Sequence, residues 1–515
     1  MKSPTFSALR NFNNMPQKNR RRKLSEDSPQ PTTDYVPPKS SRFQFFYWIC
    51  AFFFLAALLL RADVIIVWPG AEGYALDHAL SNDRGGSMLS FLYHLLFPPG
   101  ESIDDGTQAV WLFPRLLSAA AVLATGFFTY RYAGRLFGRE AIGLGLLCAG
   151  ASLFLPFFGK VATPDGTALL GQAGFFWTIL LAGADKEKNH LLAAGIFLLL
   201  GGIAAPLSTL VFGLATIIAA RMLMGGGKQW LTLLSLLALP LVVLVLQGNQ
   251  GVRGYWFWGG QPLAYGRWLL YCLLGMAPLA GWLLGGVRDL FFKVRRGDQM
   301  SRLLAAGLVI GFVTQSLVFP LLLALIAGRQ MQLYFRAANY PWRDWVRGGA
   351  TVHLVLAFIG VVLVLARVSI SFPGPGFRAA LGMGAAYWIF SLFGVLGLYG
   401  ERRDFALGGS ILAGILTVLF FWVQVYPYYD VQRNWPERIT KEIDVKLPTY
   451  VPRTEEFSNA LPYFRRAGIP VTTDSSAADL LLVNWPITDT LSTAGIEAEG
   501  RVLWQRRIFG VRAAE

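Results

Sequence analysis

Charge is scarce in this chain of 515 residues: 15% are Asp, Glu, Lys or Arg, against 54% hydrophobic residues. A soluble protein of that length carries about 25% charged residues, so a fold that meets water throughout is excluded. Histidine is rarer still, with four in all, and none forms the H-E-x-x-H pair of a helical zinc site. The three cysteines, Cys50, Cys148 and Cys272, lie far apart in or beside apolar runs. They form neither a disulfide framework nor a metal-ligand spacing. Glycine-rich stretches such as "GLGLLCAG" have no neighbouring strand and no Lys-Ser/Thr signature. No phosphate-cradling loop is visible there, and close helix packing explains them.

What abounds is apolar sequence, with 38 Phe and 16 Trp and recurrent runs long enough to cross a bilayer. The chain reads as an all-α polytopic membrane protein. Its net charge of +15 gathers between apolar runs, at Arg131, Arg135 and Arg139, at Arg288, Lys293, Arg295 and Arg296, from Arg329 to Arg347, and at Arg402 and Arg403. That is the bias of cytoplasmic loops, so the surplus reports topology and points to the lipid bilayer, not to nucleic acid. Residues 1–43, with "KNRRRKL", read as a disordered basic cytoplasmic tail.

Residues 44–425 read as the transmembrane domain. After a first span over about 45–60, residues 61–111 form an extracytoplasmic loop whose "SMLSFLYHLLF" suits a helix lying in the interface. Residues 191–222 break at "GGIAAP" into an out-and-back pair, and 303–327, flanked by basic loops, must turn near Gln315. The total is about 13 crossings, with the N-terminus cytoplasmic and the C-terminus outside. Residues 426–515 carry both charge signs and alternate. "EEFSNALPYFRRAG" predicts a helix, and "IPVTT", "DLLLVNW" and "RVLWQRRIF" predict strands of a small extracytoplasmic α/β domain.

Outside loops hold few charges, so those present are informative. The first offers Asp63, Glu72, Asp77, Asp83, Asp104 and Asp105 with Arg61 and Arg84; the second offers Lys160 and Asp165. A carboxylate at the membrane face can take a proton from a hydroxyl, and a nearby cation can hold a phosphate leaving group. The alternative is that these residues only solvate loop ends. Arg115 opens the second span, where it either reaches that phosphate or snorkels and pairs with an acid. "RGYWFWGGQPLAYGR" suits a polyprenyl chain with Arg253 and Arg267 near its phosphate, or an ordinary interfacial aromatic belt. His78 and His94 have no spacing that would make them metal ligands.

The order of these pieces adds a resemblance. "AEGYALDHAL" is similar to the D-E-x-Y stretch after the first span of GT-C-type glycosyltransferases, the group of the protein O-mannosyltransferases and the lipid A aminoarabinose transferases. "SFLYHLLF" resembles their interfacial helix, and the segment from "FPRLLSAAAV" to "GKVATPDG" resembles their R-L-x-S-A start and P-D end. The similarity covers about residues 45–185 well and extends more weakly to 285.

The resemblance implies a sugar moved from a polyprenyl (undecaprenyl) phosphate carrier to a lipid, glycan or protein acceptor, at the extracytoplasmic face of a bacterial inner membrane. It implies Glu72 and Asp165 as catalytic acids, with Asp63 and Asp77 in reserve. Arg61, Arg84, Arg115, Lys160, Tyr74, Arg253 and Arg267 are then the substrate-binding set. The one cofactor it allows is a divalent metal ion held by Glu72 and Asp165. Ala71 stands where the family usually has Asp, "RGGSM" replaces a Lys-Pro-Pro, the lysine near "GGIAAP" is absent, and 303–327 hold no Lys-x-x-x-Tyr. These departures argue against aminoarabinose as the sugar and leave an inactive GT-C-like scaffold as one alternative. A lipid or solute transporter, the other, would need ionisable residues midway through spans, where the sequence has almost none.

Overall fold

The computed structural model of the chain describes residues 41–62, 73, 76–77, 112–185, 188–224, 229–247, 262–336, 340–371, 374–428, 435–442, 447–452, 457–472, 474–486, 499–504 and 507–513. Two units divide the chain, 1–48 and 49–515; the first holds the start of the helix Ser41–Leu59, and the site described below lies in the second.

The fold is mostly helical. The helices that matter for the site are α1 (Ser41–Leu59), α2 (Leu112–Phe137), α3 (Arg139–Ala151), α4 (Leu155–Lys160) and α5 (Asp165–Asp185). They continue as α6 (Lys188–Ala204), α7 (Pro206–Met224), α8 (Gln229–Leu236), α9 (Ala238–Gln247), α10 (Pro262–Gly275), α11 (Ala280–Arg295), α12 (Gln299–Val313), α13 (Val318–Tyr334), α14 (Arg343–Ser371), α15 (Pro375–Tyr399) and α16 (Arg403–Phe420). Among the described residues six helices are long and apolar enough to cross a membrane, or seven if the bent pair α10 and α11 is one span.

Local chemistry sets the breaks. The α6–α7 break falls within "GGIAAP", where Pro206 opens α7: it lacks an N–H that the first turn would leave unbonded anyway. The α12–α13 turn falls at Gln315, in the left-handed region at φ 51°. Asp298 caps α12 by accepting from the Ser301 N–H at 3.0 Å. Burial pushes the Asp298 carboxyl up, but the Ser301 bonds and the charges of Arg329 and Lys293 outweigh that and hold it below the usual range.

Three of the basic loops meet on one carboxylate. Glu140, at the start of α3, accepts from Arg336 after α13 at 3.0 Å, from Arg403 at the start of α16 at 2.9 Å, and from Gln332 at 2.8 Å. These loops therefore share one end of the bundle, as the charge pattern requires. The "GLGLLCAG" stretch works as packing: a Cβ on Gly328 of α13 would lie 2.1 Å from the backbone nitrogen of Gly145 in α3. All three cysteines are buried and free.

Beyond α16 lie α17 (Trp435–Glu442), α18 (Ala460–Arg466) and a five-stranded mixed sheet. Its strands are β1 (Thr449–Tyr450), β2 (Val471–Thr472), β3 (Leu480–Pro486), β4 (Glu499–Trp504) and β5 (Arg507–Ala513), in the order β2-β1-β3-β5-β4. β1 runs parallel to β2 and β3; β5 runs antiparallel to β3 and β4. Trp435, Ile439, Phe464 and Leu482 join the helices to the sheet in one buried cluster. "RVLWQRRIF", expected as one strand, is instead divided between β4 and β5, which pair antiparallel with Trp504 opposite Arg507. The alternation continues through both strands, so periodicity alone does not separate them.

Candidate functional site

The segments flanking the first loop meet around the end of α1. A helix leaves its last carbonyls without intrahelical partners, and cations suit that negative end of the dipole. Here two cations supply the donors. The Arg115 guanidinium, from the first turn of α2, donates to the Ala62 carbonyl at 2.9 Å. The Lys160 ammonium, at the end of α4, donates to the Ala57 carbonyl at 3.2 Å and also to that of Leu60. Both side chains are buried, each only 1% exposed. The Lys160 ammonium also lies 5.5 Å from the ring centre of Trp422, a buried residue in the π-helical turn (Phe421–Val425) that extends α16.

Arg61 sits between the two clamped carbonyls, those of Leu60 and Ala62. It takes a left-handed conformation, φ 61°, and among the described residues its buried Nε has no hydrogen-bond partner. About one turn beyond Arg115 in α2, the Ser118 hydroxyl donates to the Thr163 carbonyl at 3.3 Å. Asp165 follows as the first residue of α5, half-buried, where the helix dipole favours a carboxylate. The "FPRLLS" and "ATPD" motifs, 45 residues apart, thus come into direct contact.

A second cluster anchors the first loop. Asp77 is 6% exposed and forms an ion pair and hydrogen bond with Arg465 of α18. A Cβ on Gly73 would lie 2.4 Å from the Ser458 carbonyl oxygen, so glycine is what lets the loop approach the segment before α18. Residue 465 lies 388 positions beyond residue 77, and no local pattern in "YFRRAG" links the two. That pairing escaped the sequence reading for this reason. So did the part of Trp422, which looks like any apolar span residue.

Among the expected residues, Arg61, Arg115, Lys160 and the Asp165 segment gather at the α1 end, while Asp77 is engaged by Arg465. Arg267 is exposed on α10. Asp63, Glu72, Tyr74, Arg84 and Arg253 lie outside the described residues, as do His78, His94 and the expected interfacial helix. Among the described residues no three His, Cys, Asp or Glu side chains come together as a metal ion would require, and no step is assigned to a metal. A narrow cavity of about 20 Å³ beside Trp177, Asp289 and Arg329 contains none of the expected site residues.

The fold is similar to that of two solved structures of ArnT. ArnT from Cupriavidus metallidurans bound to undecaprenyl phosphate superposes with a TM-score of 0.58 at 13% identity, over 92% of this chain and 99% of that one. ArnT from the same organism in the apo state gives 0.56 at 14% identity, over 92% and 98%. No protein-family profile and no curated protein sequence matches the chain.

Proposed function

We propose that this chain is a glycosyltransferase that moves a sugar from a polyprenyl-phosphate carrier to a hydroxyl or phosphate of a lipid, glycan or protein. The observation that carries the reading is the meeting of Arg115, Ser118, Lys160 and the Asp165 segment around the α1 end, where the acid-bearing first loop departs. The chain's likeness in fold to ArnT along nearly its whole length supports reading that meeting point as a transferase site.

The reaction follows from the groups present. An acceptor oxygen attacks the anomeric carbon of the sugar from the face opposite the carrier. Glu72 takes the acceptor's proton as the new carbon–oxygen bond forms. The bond to the carrier phosphate breaks, its electron pair stays on the phosphate, and a cation stabilises that charge. Asp165 acts as a second acid, holding the acceptor or the sugar hydroxyls; Asp63 stands two residues after Arg61 in sequence. Glu72 carries the base role in a chain that has Ala71 where the family has Asp.

In this reading the protein sits in the bacterial inner membrane with its basic end cytoplasmic. The shorter apolar helices cross as well, giving about 13 crossings. Residues 426–515 form an extracytoplasmic α/β domain that braces the first loop through Arg465 and Ser458.

Purified protein in lipid, offered a panel of undecaprenyl-phosphate sugars, should release undecaprenyl phosphate. Glu72→Gln should abolish release, and Asp165→Asn should reduce it by about two orders of magnitude. Running each with and without divalent metal tests that cofactor. A well-folded sample that turns over no donor would overturn the reading in favour of a scaffold or a transporter.

A further inference from the structure

The substrate-binding candidates at the α1 end are not equivalent. We propose that Arg61 alone takes the carrier phosphate, and that Arg115 and Lys160 are positioning residues that hold Arg61 in place without touching it. This rests on the glycosyltransferase reading above and assigns the phosphate seat within it.

Arg115 and Lys160 are committed elsewhere. Arg115 donates to the Ala62 carbonyl and Lys160 to those of Ala57 and Leu60, and both side chains are buried. Swinging either side chain toward a phosphate would break these bonds and leave buried carbonyls unmatched. Arg61 is the reverse case: among the described residues its buried Nε has no acceptor, and the side chain keeps partial exposure. Arginine forms five N–H donors into a planar fork that matches the oxygens of a phosphate, which lysine does not.

The backbone explains why the site is specific to residue 61. A non-glycine residue at φ 61° is disfavoured and persists only where its surroundings over-determine it. Here they do so from both sides. Lys160 fixes the carbonyl before Arg61 and Arg115 fixes the carbonyl after it, reaching across 100 and 53 residues of sequence. Two cations from separate elements therefore set the direction of a third. The backbone that bears the grip is thus set before the phosphate arrives. It also stands at the root of the first loop, two residues before Asp63 and eleven before Glu72, so the leaving group and the base are carried on one short segment.

The test uses the full-length protein in nanodiscs, with undecaprenyl phosphate and the uncharged undecaprenol as paired probes in native mass spectrometry. Wild type should prefer the phosphate. Arg61→Gln should weaken phosphate binding at least about tenfold and leave undecaprenol binding unchanged. Arg61→Lys, which keeps the charge and loses the fork, should fall between. Lys160→Met and Arg115→Gln should lower the melting temperature and also weaken phosphate binding several-fold, with undecaprenol unchanged; Lys160→Arg should restore both.

Phosphate binding at wild-type strength in both Arg61 variants would overturn the assignment and leave the transferase reading standing. Weakening in Lys160→Met with none in Arg61→Gln would put the phosphate on Lys160 and overturn it equally. A wild type with no preference for the phosphate would take down the transferase reading together with this one.

Discussion

Asp77, one of the acids of the first loop, is held by a partner far along the chain. Its carboxylate answers Arg465, and the pair is mostly withdrawn from water, with side-chain exposures of 8% and 29%. Removing one partner strands the other, so Asp77→Ala or Arg465→Ala should each cost about 1–3 kcal/mol. The exchange Asp77→Arg with Arg465→Asp should recover part of that loss. Thermal unfolding of the two single variants and the exchanged pair checks the coupling.

Glu140 makes a different test at the same scale. Burial pushes its carboxyl up, but bonds from Gln332, Arg403 and Arg336 and the charge of Arg403 outweigh it and hold the group below its ordinary 4.5. A depressed carboxylate contributes stability that is fully present above its unfolded value and lost as pH falls through its folded one. Glu140→Gln should therefore lower the melting temperature at pH 7, and the gap should close as pH drops below 4.5. With Glu140 42% exposed, the loss should stay near 1 kcal/mol or less and shrink in high salt.

Between elements, close approach decides the outcome. Gly328→Ala would force a methyl onto the Gly145 backbone and push α3 from α13, a cost of about 1–3 kcal/mol or more. Gly382, on α15, has nothing within 4 Å of an added Cβ, so Gly382→Ala should be neutral or stabilise by up to about 1 kcal/mol. Denaturation of both variants in one detergent separates packing from propensity. The sequence announced the helices and their breaks through hydropathy, Pro206 and basic loops. It also placed "FPRLLS" and "ATPD" on one side, and the structure puts them in contact. Which helices touch stayed hidden, because a lipid-facing glycine and an interface glycine have the same neighbours in sequence.

At the scale of the molecule, the first loop depends on the last part of the chain. Ending the chain after residue 428 should leave the helices in the membrane but remove the Gly73 and Asp77 docking partners. Limited proteolysis should then cut around residue 77 faster than in the full protein. Periodicity predicted β2, β3 and α18, but not β1, not the division between β4 and β5, and not this dependence: a buried ion pair spanning 388 residues has no local signature. The α1 end was legible only as a list of charges. Hydropathy told that Arg61, Arg115 and Lys160 lay on one side; only the carbonyls of residues 57–62 told them apart.

The docking of Asp77 on Arg465 also sets a clock on biosynthesis. Asp77 leaves the ribosome early, and its partner follows 388 residues later, roughly 20–80 s afterwards at ordinary synthesis rates. Through that interval a newborn chain has its first loop without the brace that fixes it. A chain that stops short of residue 465 therefore keeps Asp77 without the guanidinium that answers it in the folded protein.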